Sequence, residues 1–280
     1  VYGSPVKSFP YYIATGYHRL KSTCKTTYQS SDSIVEKSVF AYDTERPYNI
    51  ISKSSLCSGG AEQVERTYYS NNPIADKESL TTSQRSAIQL LTSRNYLTTP
   101  VQQTMEKKDK RLYSVLRGYS SSLSSGMVVE DQYYCKGTDK YEKRISYNKY
   151  DIYGNPVYIN KDDAEKVVYL WGYKGQYLLA EIKGATYEEV KKALMVDPAS
   201  MSSCILPSIP LYLDMIDNLY KALPSALITS YTYHPLIGAS GIISPNKAKT
   251  TFEYNSDSQL IRIKDTEGKT MEEYQYHFRP

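Results

Sequence analysis

A chain of 280 residues is long enough to bury a sizeable core, and a formal net charge of +4 with acids and bases interspersed argues against a basic nucleic-acid arm. Thirty tyrosines against four phenylalanines and one tryptophan supply apolar bulk as rings that carry a hydroxyl, which favours half-wet β-sheets with cross-strand ladders. Cys24, Cys57, Cys135 and Cys204 lack CxxC spacing and only three histidines accompany them, so a zinc site is not expected; free thiols and any of three two-disulfide pairings stay open.

Residues 1–42 hold two strand-like runs, YYIATGYHRLKSTCKTTYQ and DSIVEKSVFAYD, with Ser30-Ser31-Asp32 between them, and hairpin pairing is the economical reading. NIISKSSL, the turn Ser58-Gly59-Gly60 and QVERTYYS make a second hairpin. Over 80–92 the spacing of Leu80, Ala87, Ile88, Leu90 and Leu91 predicts a short helix. Strand character returns over 96–106 and 111–119. The tract EKKDKR at 106–111 mixes both signs and reads as a solvated loop or strand face, and SSSLSSG at 120–126 as a flexible loop or tip. Residues 1–126 are therefore a β-rich region of degenerate hairpins.

Residues 127–280 form the second region. MVVEDQYYCKGTDKYEKRISY gives two strands about the turn at 136–139, and YNKYDIYGNPVYINKDDAEKVVYLWGY at 147–173 follows as a hairpin unit in which Gly154 and Asn155 can take positive φ. A helical pair is inserted at about 186–223. Thr186 with Glu189 forms a capping box, and Ile209, Tyr212, Leu213, Ile216, Leu219, Tyr220 and Leu223 make one apolar stripe stopped by Pro224. Between the two helices, DPASMSSCILPS reads as a linker. Strands then resume, and Tyr231/Tyr233 recur as Phe252/Tyr254 and again as Tyr274/Tyr276, a repeat of about 20 residues with a turn in each half.

YDIYGNPVYI at 150–159, closed by Tyr169, resembles the tyrosine-aspartate (YD) repeat of Rhs and teneurin-like proteins. FEYNSDSQLIRIKDTEGKTMEEYQYHF at 252–278 looks like a degenerate copy, with Asn255 in place of the Asp and Ser258-Gln259 where Gly-Asn or Gly-Arg is usual. The order YLWGYKGQYLLAEIKGATYEEV, two helices, SYTYHPLIG further resembles long YD-repeat proteins common in Bacteroidetes. The resemblance implies a mainly β fold of antiparallel YD-repeat hairpins in a curled or spiral sheet, interrupted by the helix pair. Repeat-defining positions would be Tyr150, Asp151, Gly154, Asn155, Tyr254 and Gly268. It implies a non-enzymatic structural or interaction module of a larger secreted or cell-surface polypeptide, whose remainder, or another protein, would be its partner; no aspartate-containing self-cleavage motif is found before Pro280.

Chemistry is otherwise sparse. His18, His234 and His277 lie far apart with no nucleophile elbow, and no catalytic residue is assigned. Asp162, Asp163 and Glu165, and Asp257 with Asp265, read as turn residues rather than a calcium site, because no DxDxDG loop is present. Without a Gly-rich phosphate loop or a ligand cluster, no cofactor, metal or nucleotide is expected. Trp171 is expected to pack against the helix at 209–223; the alternative is a glycan-stacking platform of Trp171, Tyr169 and Tyr173 on a carbohydrate-binding surface protein, with a hydrolase of unidentified acids as a third reading. The chain opens on Val1 and shows neither an apolar leader core nor a run of about 20 apolar residues, so neither a signal peptide nor a membrane span is expected, and a mature product or excised fragment is.

Overall fold

The computed structural model describes residues 18–29, 32–56, 60–74, 76–123, 126–162, 164–203 and 209–277. The strands are β1 (Ser22–Gln29), β2 (Asp32–Tyr42), β3 (Ile50–Leu56), β4 (Glu62–Tyr69), β5 (Pro100–Lys107), β6 (Lys110–Leu123), β7 (Gly126–Lys136), β8 (Glu142–Tyr150), β9 (Pro156–Lys161), β10 (Glu165–Gly172), β11 (Tyr177–Lys183), β12 (Leu227–His234), β13 (Gly238–Ile243), β14 (Lys249–Tyr254), β15 (Leu260–Lys264) and β16 (Thr270–Glu273). They pair in chain order as one antiparallel sheet that is not closed. Among the described residues three α-helices accompany it: α1 (Thr82–Ser93), α2 (Tyr187–Leu194) and α3 (Ile209–Ala222). Strictly sequential pairing is what hairpin-forming turns every few residues dictate.

The chain divides into two compact units, residues 1–67 with 105–110, and residues 68–104 with 111–280. In the first, β1 and β2 pair without interruption from Ser22 opposite Val39 to Gln29 opposite Asp32. The charged tract at 106–111 holds a two-residue reversal in which Lys108 and Asp109 both have positive φ, 49° and 57°, and both are exposed. The expectation of a solvated turn is met there.

In the second unit one core lies under α1, where Leu80, Ala87, Ile88 and Leu91 meet Val101, Leu116 and Tyr119, and another is the seam between the helix pair and one face of β10 to β12. Val168 and Leu170 of β10, Ala180 and Ile182 of β11 and Ile228 of β12 lie with Val190 of α2 and Tyr212, Ile216 and Leu219 of α3 in one buried cluster. Period-2 alternation selects the β10 pair. A register shift leaves Leu179 of β11 without an opposite partner, and the bulge keeps both Leu179 and Ala180 in the core. Tyr212 donates its hydroxyl to the Leu179 carbonyl at 2.5 Å, so the helix stripe carries one polar tether into the bulge. The capping box read at Thr186 is formed, with both reciprocal bonds to Glu189. Part of the segment expected as a linker is a 3₁₀ turn, Pro198–Ser203, started by Asp197, which accepts the Ala199 amide at 3.0 Å and the Tyr187 hydroxyl.

Helix α1 also opens on a capping box, Thr81 with Gln84. Gln84 is 1% exposed and its amide is used fully: Oε1 accepts from Thr81 N at 3.1 Å, and Nε2 donates to Glu130 and Asp131 of β7 at 3.0 and 2.9 Å. This approach is possible because residue 118 on β6 is glycine; a Cβ there would lie 2.4 Å from the Gln84 side chain. The serine-rich tract departs from expectation. β6 runs through Ser120 to Leu123 and β7 begins at Gly126, with Ser120 opposite Val128 and Leu123 opposite Gly126. Pairing with a β-branched partner strand outweighs the weak intrinsic preference of serine.

Candidate functional site

The recurrent structure of this chain is a turn and a lock. At 151–155, Asp151 N donates to the Asn155 carbonyl and Gly154 N to the Asp151 carbonyl, while Asp151 Oδ1 accepts the amides of Tyr153 and Asn155 at 2.9 and 2.8 Å. At 255–259 the same four bonds recur about Asn255, whose Oδ1 accepts Asp257 N at 3.0 Å and Gln259 N at 2.9 Å. Asp265 repeats them with Glu267 and Lys269. The fourth residue takes positive φ in each: Gly154 at 86°, Ser258 at 62°, Gly268 at 81°. The apparent degeneracy of the second copy is thus chemical substitution in a fixed geometry. Asn supplies the same acceptor as Asp, and the side-chain contact is reversed: Asn155 Nδ2 donates back to Asp151 at 3.0 Å, whereas Asn255 Nδ2 donates forward to Gln259 at 2.9 Å. Ser244 starts a fourth turn with the backbone bonds and positive φ at Lys247, 64°.

A bulge stands near the turn in the following five hairpins, two of which, at 151–155 and 255–259, carry this turn, while the hairpin at Ser244 pairs without one. Tyr150 pairs with Pro156 and leaves Val157 extra; Trp171 pairs with Leu178 and leaves Leu179; Tyr233 pairs with Ala239 and leaves Ser240; Tyr254 pairs with Leu260 and leaves Ile261; Tyr119 pairs with Val129 and leaves Glu130. A bulge interrupts the ladder and turns a carbonyl away from its usual partner. In every case the carbonyl just before the extra residue receives the aromatic of the following hairpin. Tyr150 Oη donates to Val129 O, Trp171 Nε1 to Pro156 O at 2.8 Å, Tyr233 Oη to Leu178 O at 2.8 Å, Tyr254 Oη to Ala239 O at 2.9 Å and Tyr276 Oη to Leu260 O at 2.8 Å. The relay crosses the helical insertion unbroken, because β11 and β12 remain paired from Ala180 opposite Ser230 to Lys183 opposite Leu227.

The aromatic at each strand end therefore has two roles, closing the preceding hairpin through its polar tip while the residue after it shapes the next turn. Of the positions singled out from sequence, Tyr150, Asp151, Gly154, Asn155, Tyr254 and Gly268 all lie in these turns or locks. Tyr233 and Tyr276, read from spacing alone, do too. Tyr119 was missed; it lies inside β6, which runs on to Leu123, so no turn residue directly after it marks the position.

Trp171 departs from its expected place. It alternates away from Val168 and Leu170, stands outside the cluster under α3, and spends its indole N–H on Pro156. Tyr169 follows the same face; Tyr173 lies at positive φ in the next turn, edge-on to Tyr177 with ring centroids 5.0 Å apart. The three expected stacking residues are half-buried and do not form one exposed plane. Cys24 and Cys135 are free, exposed and buried respectively, with burial pushing the Cys135 thiol up; Cys57 and Cys204, like Asp163, lie outside the described residues. His18, His234 and His277 are exposed. Among the described residues no cluster of three or more His, Cys, Asp or Glu could hold a metal, and no helix is long and apolar enough to cross a membrane.

Burial raises three tyrosines of this network, Tyr119, Tyr150 and Tyr233. Tyr119, 5% exposed and donating to the Pro100 carbonyl at 2.8 Å, is pushed up to about 12, and so is Tyr233; Tyr150 is raised further. A folded value above the ordinary value of about 10 means that the protonated phenol is held more tightly by the folded chain. The stabilisation is present in full below pH ~10 and is lost as pH rises through ~12. Spectrophotometric titration is expected to show these phenols ionising together with loss of the near-ultraviolet circular dichroism in that interval; ionisation with the tertiary signal intact would show that the hydroxyls are not holding the hairpins.

No family model and no curated protein matches the chain. Similar solved structures include the crystal structure of TcdB2–TccC3–Cdc42 (11% identity, TM-score 0.35, covering 82% of this chain and 12% of that one) and that of TcdB2–TccC3 (11%, 0.40, 87% and 11%). A structure of the Photorhabdus luminescens Tc holotoxin pore is a third (11%, 0.34, 82% and 12%). The chain spans 11 to 12% of the length of these proteins, and likenesses of this size establish no activity or partner for it.

Proposed function

We propose that this chain is a structural segment of a longer YD-repeat polypeptide, a run of wall hairpins whose work is to pair, in order, with further hairpins. The observation that carries this reading is the relay itself. Each bulged carbonyl accepts from the aromatic of the hairpin that follows, so one hairpin is completed by its successor, and among the described residues β1 and β16 are the outermost strands of the ladder. Fourteen-residue α3 and its partner helix then serve as a cover for one face of three strands, inserted in a connection that leaves the pairing intact. The ordered series from YDIYGN through the helix pair to SYTYHPLIG supports the kind of YD-repeat protein common in Bacteroidetes, and a secreted or surface location goes with that type.

The test is the size of the native product. Antibody raised against this chain should detect, in its source cells or their medium, a polypeptide well above the 31.9 kDa of the segment, with peptides of further Tyr-Asp hairpins on mass spectrometry. A native species of 31.9 kDa that is monomeric in solution would sink the reading.

A further inference from the structure

The first strand of the ladder begins as a later one does. Phe40 N donates to Lys21 O and Tyr42 Oη to Leu20 O, each at 3.0 Å, just as Tyr274 N donates to Ile261 O at 3.0 Å and Tyr276 Oη to Leu260 O at 2.8 Å. Lys21 thus holds the place of a bulge's extra residue, and Leu20 the place before it. Between described strands, the residue bearing such a carbonyl stands opposite the aromatic that ends the strand before: Pro156 opposite Tyr150, Leu178 opposite Trp171, Ala239 opposite Tyr233 and Leu260 opposite Tyr254. Among the described residues no strand precedes β1 to set an aromatic opposite Leu20, and none follows β16 to set a residue opposite Tyr276.

These two open positions fit each other. In the bulged hairpins the residue before the aromatic stands opposite the residue two after the carbonyl, as Glu253 opposite Arg262 and Thr232 opposite Gly241. The same step between two copies sets Tyr276 opposite Leu20, Gln275 opposite Ser22, Glu273 opposite Cys24 and Glu272 opposite Lys25. Main-chain direction agrees with that register. Lys21 turns its carbonyl to β2, so alternation points the main-chain groups of Ser22, Cys24 and Thr26 at the open edge. Tyr274 turns its amide to β15, so Glu273 and Gln275 point theirs outward and meet Cys24 and Ser22. Charge is complementary too: β1 carries Lys25 and no acid, whereas β16 carries Glu272 and Glu273 and no base, and all three are exposed. Glu36 of β2 lies 3.8 Å from Lys25, so Glu272 would leave that lysine between two carboxylates.

We propose that β1 of one copy pairs with β16 of a second, head to tail, through the main chain of 22–25 and 272–275 and with Tyr276 set opposite Leu20. The contact joins unlike edges, so each copy added leaves one edge of each kind open. It rests on the same aromatic relay as the proposed function and says what each edge selects: an acidic strand that ends in an aromatic for β1, a bulged strand start followed by a base for β16. In a longer polypeptide the neighbouring hairpins would meet these edges, so self-association belongs to the 280-residue chain by itself. Native size is read in source cells and association on the purified chain, so the two readings fail separately.

Sedimentation velocity and cross-linking of the full chain test it. The unaltered chain should form oligomers that grow with concentration, and Glu272→Lys, which sets like charges opposite each other, should weaken association about tenfold. Cys24 is a free, exposed thiol, and across a hydrogen-bonded pair its Cα would lie about 5.5 Å from that of residue 273, within disulfide reach. Mild oxidation of Glu273→Cys should therefore give a ladder of covalent multimers, with Cys24 joined to position 273 on peptide mapping. Both substituted positions are exposed, and circular dichroism verifies that the variants keep their fold. The proposal is overturned if the unaltered chain stays monomeric, or if Glu272→Lys associates as well as it does. Slow amide exchange at Ser22, Cys24 and Thr26 in a monomer would overturn it by showing the β1 edge covered within the chain. A Cys24–Cys24 dimer of the unaltered chain would overturn it equally, because β1 then meets β1.

Discussion

Replacing Asp151 by alanine is expected to lower the stability of the second unit by about 3 kcal/mol. The carboxylate is 2% exposed and accepts three donors: Tyr153 N, Asn155 N and Asn155 Nδ2. Alanine strands all three at a place water reaches poorly, and the turn that sets the β8–β9 register loses its template. Asp151→Asn should cost far less, about 1 kcal/mol, because Asn255 already performs the same task in this chain. Tyr254→Phe should cost about 1 kcal/mol as well, since it removes a single hydroxyl from the Ala239 carbonyl. Urea midpoints with an unchanged slope would read these differences. Equal losses for Asp151→Ala and Asp151→Asn would show that the negative charge, and not the acceptor geometry, is what the turn uses.

Leu219→Ala should destabilise by about 3 to 4 kcal/mol, for a different reason. Leu219 is fully buried at the centre of the α3 stripe, facing β10 to β12, and truncation leaves a cavity between two rigid layers that cannot close around it. Leu227, at the start of β12, is 57% exposed, and Leu227→Ala should fall within about 0.5 kcal/mol of the unaltered chain. If the two substitutions behave alike in chemical denaturation, α3 is not a covering layer and the helix pair hangs free of the sheet.

Much of this architecture was legible before any coordinates. Thr186 with Glu189, the stripe from Tyr212 to Leu219, and the aromatic pairs Tyr231/Tyr233 and Phe252/Tyr254 are local patterns that formed where they were read, whereas Tyr274 and Tyr276 lie just past the end of β16. Residues 120–123 of the serine-rich tract were misread because serine says little about strands; what decides them is the partner strand from Gly126 to Val129, while 124 and 125 lie outside the described residues. Trp171 was misread because a run of β-branched and aromatic residues does not reveal which of its two faces meets a helix inserted later. That assignment came from the bulge at Leu179 and from a register fixed across β10, β11 and β12.

The division between sequence and tertiary structure follows range. Turn chemistry is settled within five residues: an Asp or Asn at the first position and a residue that accepts positive φ at the fourth specify the reversal by themselves, whatever lies beyond. Helix caps and strand alternation are equally short-range, so the type and order of most elements were written in the chain, the end of β6 and the 3₁₀ turn Pro198–Ser203 excepted. Which carbonyl each aromatic reaches was not. The bond from Tyr233 to Leu178 spans 55 positions and a helical pair, and it exists because two strands that are distant in sequence are neighbours in the ladder. A hydroxyl can donate to whatever acceptor folding brings within about 3 Å, and only the assembled sheet places a bulged, unpaired carbonyl there.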